Sequence, residues 1–172
     1  HILLTVVSPR INFTSPLKTA KDLQSSNTLT LPSAPAQAIA FTLTSSDPSR
    51  MLLNGTATGT PSASLTITLP AGAIQSGLFY LVGLAAGGTA ALNVTAPSLS
   101  PMSFDVTLQP SGFVFSSPQQ SLTVSRAATF TISGYSLNPA TLTRDTNLPL
   151  RSGLTVPIAI TTSDDAVVSG VD

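Results

Sequence analysis

The groups that could do chemistry in this chain are few and dispersed. Seven aspartates are its only acids, seven Lys and Arg its strong bases, and His1 its single histidine; Glu and Cys are absent. A serine nucleophile needs a base beside it, and a histidine at position 1 does not supply one, so hydrolysis by that route is not expected. Glycoside hydrolysis needs two carboxyls facing across a sugar, and only Asp47, Asp105, Asp164 and Asp165 fall near predicted strand ends. Asp47 lies in Ser46-Asp47-Pro48-Ser49, where an aspartate reads first as the cap of a turn. Asp164 and Asp165 with Asp172 could offer oxygens to calcium, but their spacing forms no recognised loop, so they read as a polar turn. No enzyme activity and no cofactor is expected.

Charge concentrates in one place. Tyr135, Asn138, Arg144, Asp145, Asn147 and Arg151 stand close together in a chain whose charged content is only 8%. Elsewhere the basic residues are scattered, with no stripe to displace counterions from a phosphate backbone, so nucleic acid is not an expected partner. No polybasic cluster would recruit the chain to anionic lipid, and no apolar run reaches the roughly 18 residues of a membrane span. Without cysteine, a disulfide framework and a thiolate metal site are both excluded.

The elements that must position these residues read as strands. Leu65-Thr66-Ile67-Thr68-Leu69 alternates apolar and polar with the period of two of a half-buried strand. Phe41 with Leu43, Leu92 with Val94, Phe104 with Val106 and Leu108, Phe130 with Ile132, and Ile158 with Ile160 repeat the pattern and form the predicted core. The run Gly77 to Ala86 suits a buried strand with its turn. Asp47-Pro48-Ser49, Asn54-Gly55, Pro70-Ala71-Gly72, Gly87-Gly88 and Pro110-Ser111-Gly112 mark reversals between strands. About seven short strands at this spacing make an immunoglobulin-like sandwich of two antiparallel sheets, with a barrel as the alternative.

Residues 5–16 lie over residues 107–118 at a constant offset, Phe13 over Phe115 and Pro16 over Pro118. That offset of 102 positions exceeds solenoid repeats, which run from about 20 to 50 residues, and suits whole domains in tandem. The expected layout is therefore all-β: a closing strand of a preceding unit over 1–9, a complete sandwich over 10–109, and the first part of a following unit over 110–172. Phe41 to Asp47 resembles Ile158 to Asp164 at the larger offset of 117, which implies an insertion, placed around 134–153. Tyr135, Arg144, Asp145 and Arg151 lie in it. They are the expected contact between neighbouring units or with a partner, with ligand recognition and an idle loop as alternatives. The second unit would stop about halfway, so its remaining strands are expected from chain beyond Asp172 or from another copy, with Ile2 to Val7 as donor.

Thr44 to Ser49, then Leu65 to Ala73, then Leu81 to Ala96 resemble the bacterial immunoglobulin-like repeats carried in series by long secreted and cell-surface proteins. Ser49-Arg50-Met51-Leu52-Leu53 departs from the small Val-Ala-Thr-Val run usual after Asp-Pro in that family. The resemblance implies a spacer, an adhesion module or a carbohydrate-binding module, none of them catalytic. The expected role is a structural or adhesive segment of a secreted or cell-surface protein. Its expected partners are neighbouring units or copies of itself, with a surface glycan or protein receptor as a further option. A sugar-binding module would need exposed aromatics, and the chain has no Trp and only Tyr80 and Tyr135. A self-assembling filament subunit is the remaining alternative, since zero net charge removes repulsion between copies.

Overall fold

The computed structural model describes residues 10–97, 99–115 and 131–159. Within them the chain is all-β, without a helix. In chain order the strands are β1 (Asn12–Phe13), β2 (Lys18–Ala20), β3 (Gln24–Asn27), β4 (Leu29–Thr30), β5 (Ile39–Ser45), β6 (Met51–Asn54) and β7 (Ser64–Leu69). They continue with β8 (Phe79–Gly83), β9 (Thr89–Ala96), β10 (Leu99–Gln109), β11 (Ser111–Phe115), β12 (Ile132–Leu137) and β13 (Arg144–Asn147).

Alternation decides which faces meet. A five-stranded sheet in the order β2-β10-β9-β5-β7 turns Phe41, Leu43, Leu92, Val94, Val106 and Leu108 inward. A three-stranded sheet, β3-β8-β6, faces it with Met51, Leu53, Phe79 and Leu81, and the two layers share one continuous core. The outer face of the larger sheet carries Thr42, Thr66 and Thr95 in register, since period two sends each neighbour of a core residue to water. A short pair, β1-β4, closes one edge, where the Phe13 ring stands edge-on to Phe104 at 5.0 Å and to Phe79 at 6.0 Å. Such edge-to-face contacts bring the positive ring edge onto a negative face.

Turn chemistry fixes the register. At Pro70-Ala71-Gly72-Ala73 the Ala73 amide donates to the Pro70 carbonyl, and Gly72 takes φ 76°, which a side chain would strain. At the other sharp corner, Asp47 Oδ1 accepts from the Ser49 amide at 3.1 Å, the local cap expected of it. β2, the edge strand of the larger sheet, runs parallel to β10, with Thr107 opposite Lys18 and Gln109 opposite Ala20. Gly83 permits the close packing of β8 on β2: a Cβ there would sit 2.1 Å from the Ala20 carbonyl oxygen.

Beyond Pro110 a further sheet forms in the order β11-β12-β13. The expected inserted loop at 134–153 is corrected here, because most of β12 and all of β13 fall inside it. They form a hairpin through backbone pairing, which needs no apolar alternation. Ile158 is also corrected as a core residue, since it lies outside any strand and is 44% exposed. Its expected partner Ile160, as well as Phe130, Asp164, Asp165, Asp172, His1 and the opening run Ile2 to Val7, lies outside the described residues.

Candidate inter-unit seam

The β11-β12-β13 sheet and the segment after it meet the sandwich along the outer edge of β2 and the turn that follows it. This turn, Ala20 to Leu23, closes with the Leu23 amide on the Ala20 carbonyl, and Asp22 adopts φ 62° at its tip. Aspartate tolerates that left-handed conformation better than most residues. Asp22 thereby presents its carbonyl to the Arg151 amide at 3.0 Å and its carboxylate to Arg151 Nε at 3.1 Å. One step on, the Gln24 amide donates to the Pro149 carbonyl, and Leu23 bridges Leu150 in antiparallel fashion. Segment 149–151 is thus hydrogen-bonded to the sandwich like a short added strand.

Asp145 makes the second point of contact. Tyr135 pairs with Asn147 and Leu137 with Arg144, so β13 carries one extra residue opposite Ser136. A bulge of this kind re-aims the side chains beside it. Asp145 Oδ2 accepts from Lys18 Nζ at 2.8 Å and from Gln109 Nε2 at 3.1 Å. These two donors, Lys18 first, hold the Asp145 carboxyl below the usual carboxylate range against the small opposing effect of burial. Ser136, fully buried, ties the bulge down by accepting from the Thr146 amide at 3.2 Å. β12 approaches closely enough that a Cβ on Gly134 would stand 3.1 Å from Leu23 Cδ2.

Of the four residues singled out from sequence, Asp145 and Arg151 reach the sandwich. Tyr135 is half-buried within β12, where its backbone pairs with Gly112 and Asn147. Arg144 is exposed and makes no ion pair among the described residues. Sequence reasoning missed the receiving side: Lys18, Asp22, Gln24 and Gln109. A usable signal was present in Lys18-Thr19-Ala20-Lys21-Asp22, a second local concentration of charge in a chain with little of it.

Beside the Lys18–Asp145 pair lies a cleft of about 460 Å³, walled by Ser15, Ser25 and Ser26 on one side and by Thr146 and Asn147 on the other. It holds hydroxyls and an amide but no aromatic ring on which a sugar could stack. Three triplets fit the Asn-x-Thr glycosylation sequon, Asn12-Phe13-Thr14, Asn54-Gly55-Thr56 and Asn93-Val94-Thr95, and they fall in three settings: Asn12 is exposed, Asn93 half-buried, and Asn54 buried at 4%. Asn54 holds its own loop, donating from Nδ2 to the Gly59 carbonyl at 2.7 Å. In comparisons with known proteins, no family model and no curated sequence matches the chain.

Proposed function

We propose that this chain is a structural or adhesive segment of a repetitive extracellular protein, in which immunoglobulin-like sandwiches follow one another as spacer or fibre-forming modules. The observation that carries this reading is the seam. Two ion pairs, two backbone hydrogen bonds and the Gln109 amide join the sandwich to the sheet that follows it. An idle loop has no need of so many attachments, whereas a segment that transmits reach or load must hold its successive units at a defined angle.

Pairing geometry supports a repeat of the same unit. Phe13 faces Leu29 in the first pair of strands, and Phe115 faces Ile132 in the second, at offsets of 102 and 103 residues. Resemblance to bacterial immunoglobulin-like repeats, which rests on the Asp47 turn, the Pro70-Ala71-Gly72 turn and the strands after it, points the same way. Secreted or cell-surface placement belongs to this reading.

Stretching single molecules tethered at both ends tests it. Unfolding of the sandwich should appear as one discrete event releasing about 100 residues, at roughly 3.3–3.6 Å each. A separate, weaker event from the seam should vanish in the double variant Lys18→Ala, Arg151→Ala. Smooth extension without either event would refute a load-bearing role.

A further inference from the structure

The loop between β6 and β7 is folded around one side chain. At its base Leu53 and Ser62 exchange two backbone hydrogen bonds of 2.8 Å, and residues 55–58 and 60 stand exposed above it. Beneath them Asn54 is buried at 4%, with Nδ2 donating to the Gly59 carbonyl at 2.7 Å and Oδ1 accepting from the Thr56 amide at 3.3 Å. Gly59 leaves the room this needs: a Cβ there would stand 2.7 Å from Asn54 Oδ1 and equally close to Thr56 Oγ1. From outside the loop, Gln24 Nε2 donates to the Ala57 carbonyl at 2.8 Å. Gln24 is itself 3% exposed, and its backbone amide takes the Pro149 carbonyl at the seam.

The residue after Asn54 is glycine, and that pairing carries chemistry. With no side chain at Gly55 to hinder it, its backbone nitrogen can attack Asn54 Cγ. The N–Cγ bond forms, the Cγ–Nδ2 bond breaks, and Nδ2 takes up a proton and leaves as ammonia while the Gly55 amide proton passes to solvent base. Water then opens the five-membered imide at either carbonyl, giving aspartate or the isomer whose chain runs through the side-chain carboxyl. In the folded loop both ends of the Asn54 amide are held, so Cγ cannot turn toward the Gly55 nitrogen. The reaction needs the loop lifted, a local opening that costs less than global unfolding.

The product does not fit the place it left. A carboxylate has no N–H for the Gly59 carbonyl and would set acceptor against acceptor in a buried position. Residues 51–104 contain no Lys or Arg to pair with it, and Arg50 is engaged with the Gly87 carbonyl. The loop then stays open and Gln24 loses Ala57. Its Oε1 already lacks a partner among the described residues, so the whole side-chain amide is stranded at the seam.

We infer that Asn54-Gly55 is a modification site gated by this loop: Asn54 converts to aspartate or isoaspartate only from the lifted state, and conversion keeps the loop from closing again. The site lies within one sandwich and does not depend on the reading of the chain as tandem units.

The test follows conversion by peptide mapping and mass spectrometry at mildly alkaline pH, in the full chain and in a synthetic peptide of residues 50–60. The chain should convert at least about tenfold more slowly than the peptide, and the gap should narrow in urea below the global transition. Gly59→Ala, which displaces the Asn54 side chain, should speed conversion several-fold, whereas Gly55→Ala should slow it in chain and peptide alike. Asn54→Asp should lower the urea midpoint and move the Gln24 side-chain amide signal in NMR spectra. Conversion as fast in the chain as in the peptide would overturn the inference, as would a slow rate that urea does not raise, or an Asn54→Asp variant whose Gln24 signal stays in place. The urea series on the wild type decides the gating even where Gly59→Ala does not fold.

Discussion

Lys18 Nζ and Asp145 Oδ2 meet at 2.8 Å although 127 positions separate them in the chain. One stands on the outer edge of the sandwich, the other on a bulged strand of the next sheet, and Gln109 donates to the same carboxylate oxygen. The pair is partly open to water, so its contribution is about 1 kcal/mol or less. It ties the edge of the sandwich to the sheet that follows.

That carboxylate makes the seam acid-sensitive. Its folded-state pKa is lowered, so the stabilisation is present above the unfolded value of about 3.9 and is lost as pH falls through the folded one. Acidification from pH 5 to pH 2.5 should shift the Gln109 side-chain amide and the Thr146 backbone amide in NMR spectra. Asp145→Asn should hold both signals constant over that range. High salt should weaken the contact at neutral pH in the wild type and have less effect in the variant.

Gly83→Ala should be among the most damaging single-methyl changes. The new Cβ would collide with the Ala20 carbonyl, which is backbone and cannot rotate aside. A loss of about 3 kcal/mol or more is expected, read as a lower urea midpoint. Ala at Gly77, whose Cβ would meet nothing within 4 Å, should change the midpoint little.

Leu43→Ala tests the core directly. Leu43 is wholly buried between Leu65 on one neighbouring strand and Val94 on the other. Its truncation should cost about 2–5 kcal/mol, with the slope against urea unchanged. The same substitution at Leu142, which is 63% exposed, should have almost no effect on the midpoint.

Asn54→Ala should cost about 1–3 kcal/mol, because the Gly59 carbonyl loses its partner and the loop its brace. Expression in a glycosylating host should leave Asn54 unmodified while Asn12, exposed, remains open to the transferase. Intact mass of the glycosidase-treated and untreated protein checks this. Sugar on Asn54 would contradict the buried placement.

Which residues face inward was legible in the sequence wherever alternation is strict, because period two is a property of each strand alone. Phe41, Leu43, Leu92, Val94, Val106 and Leu108 are all buried for that reason. Leu65 and Ile67 are only half-buried where Leu69 is fully so, because β7 is an edge strand with a single neighbour, and edge position depends on the whole sheet. Gln24 and Gln109 were illegible: a buried amide carries no periodic signal, and each side-chain partner lies more than 30 positions away. Arg144-Asp145-Thr146-Asn147 reads as loop because a strand held by backbone bonds and a bulge needs no apolar face. Charge density still pointed to Asp145 and Arg151, since ionic side chains in a nearly uncharged chain are conspicuous whatever element bears them.

The parallel arrangement of β2 and β10 has a mechanical consequence. The two strands point the same way and are hydrogen-bonded side by side, so tension applied between the start of β2 and the end of β10 slides them lengthwise past each other. The bonds from Thr107 to Leu17 and from Lys21 to Gln109 are then sheared together instead of being unzipped singly. Rupture must break them at once, a geometry that resists pulling far better than its modest number of hydrogen bonds would suggest.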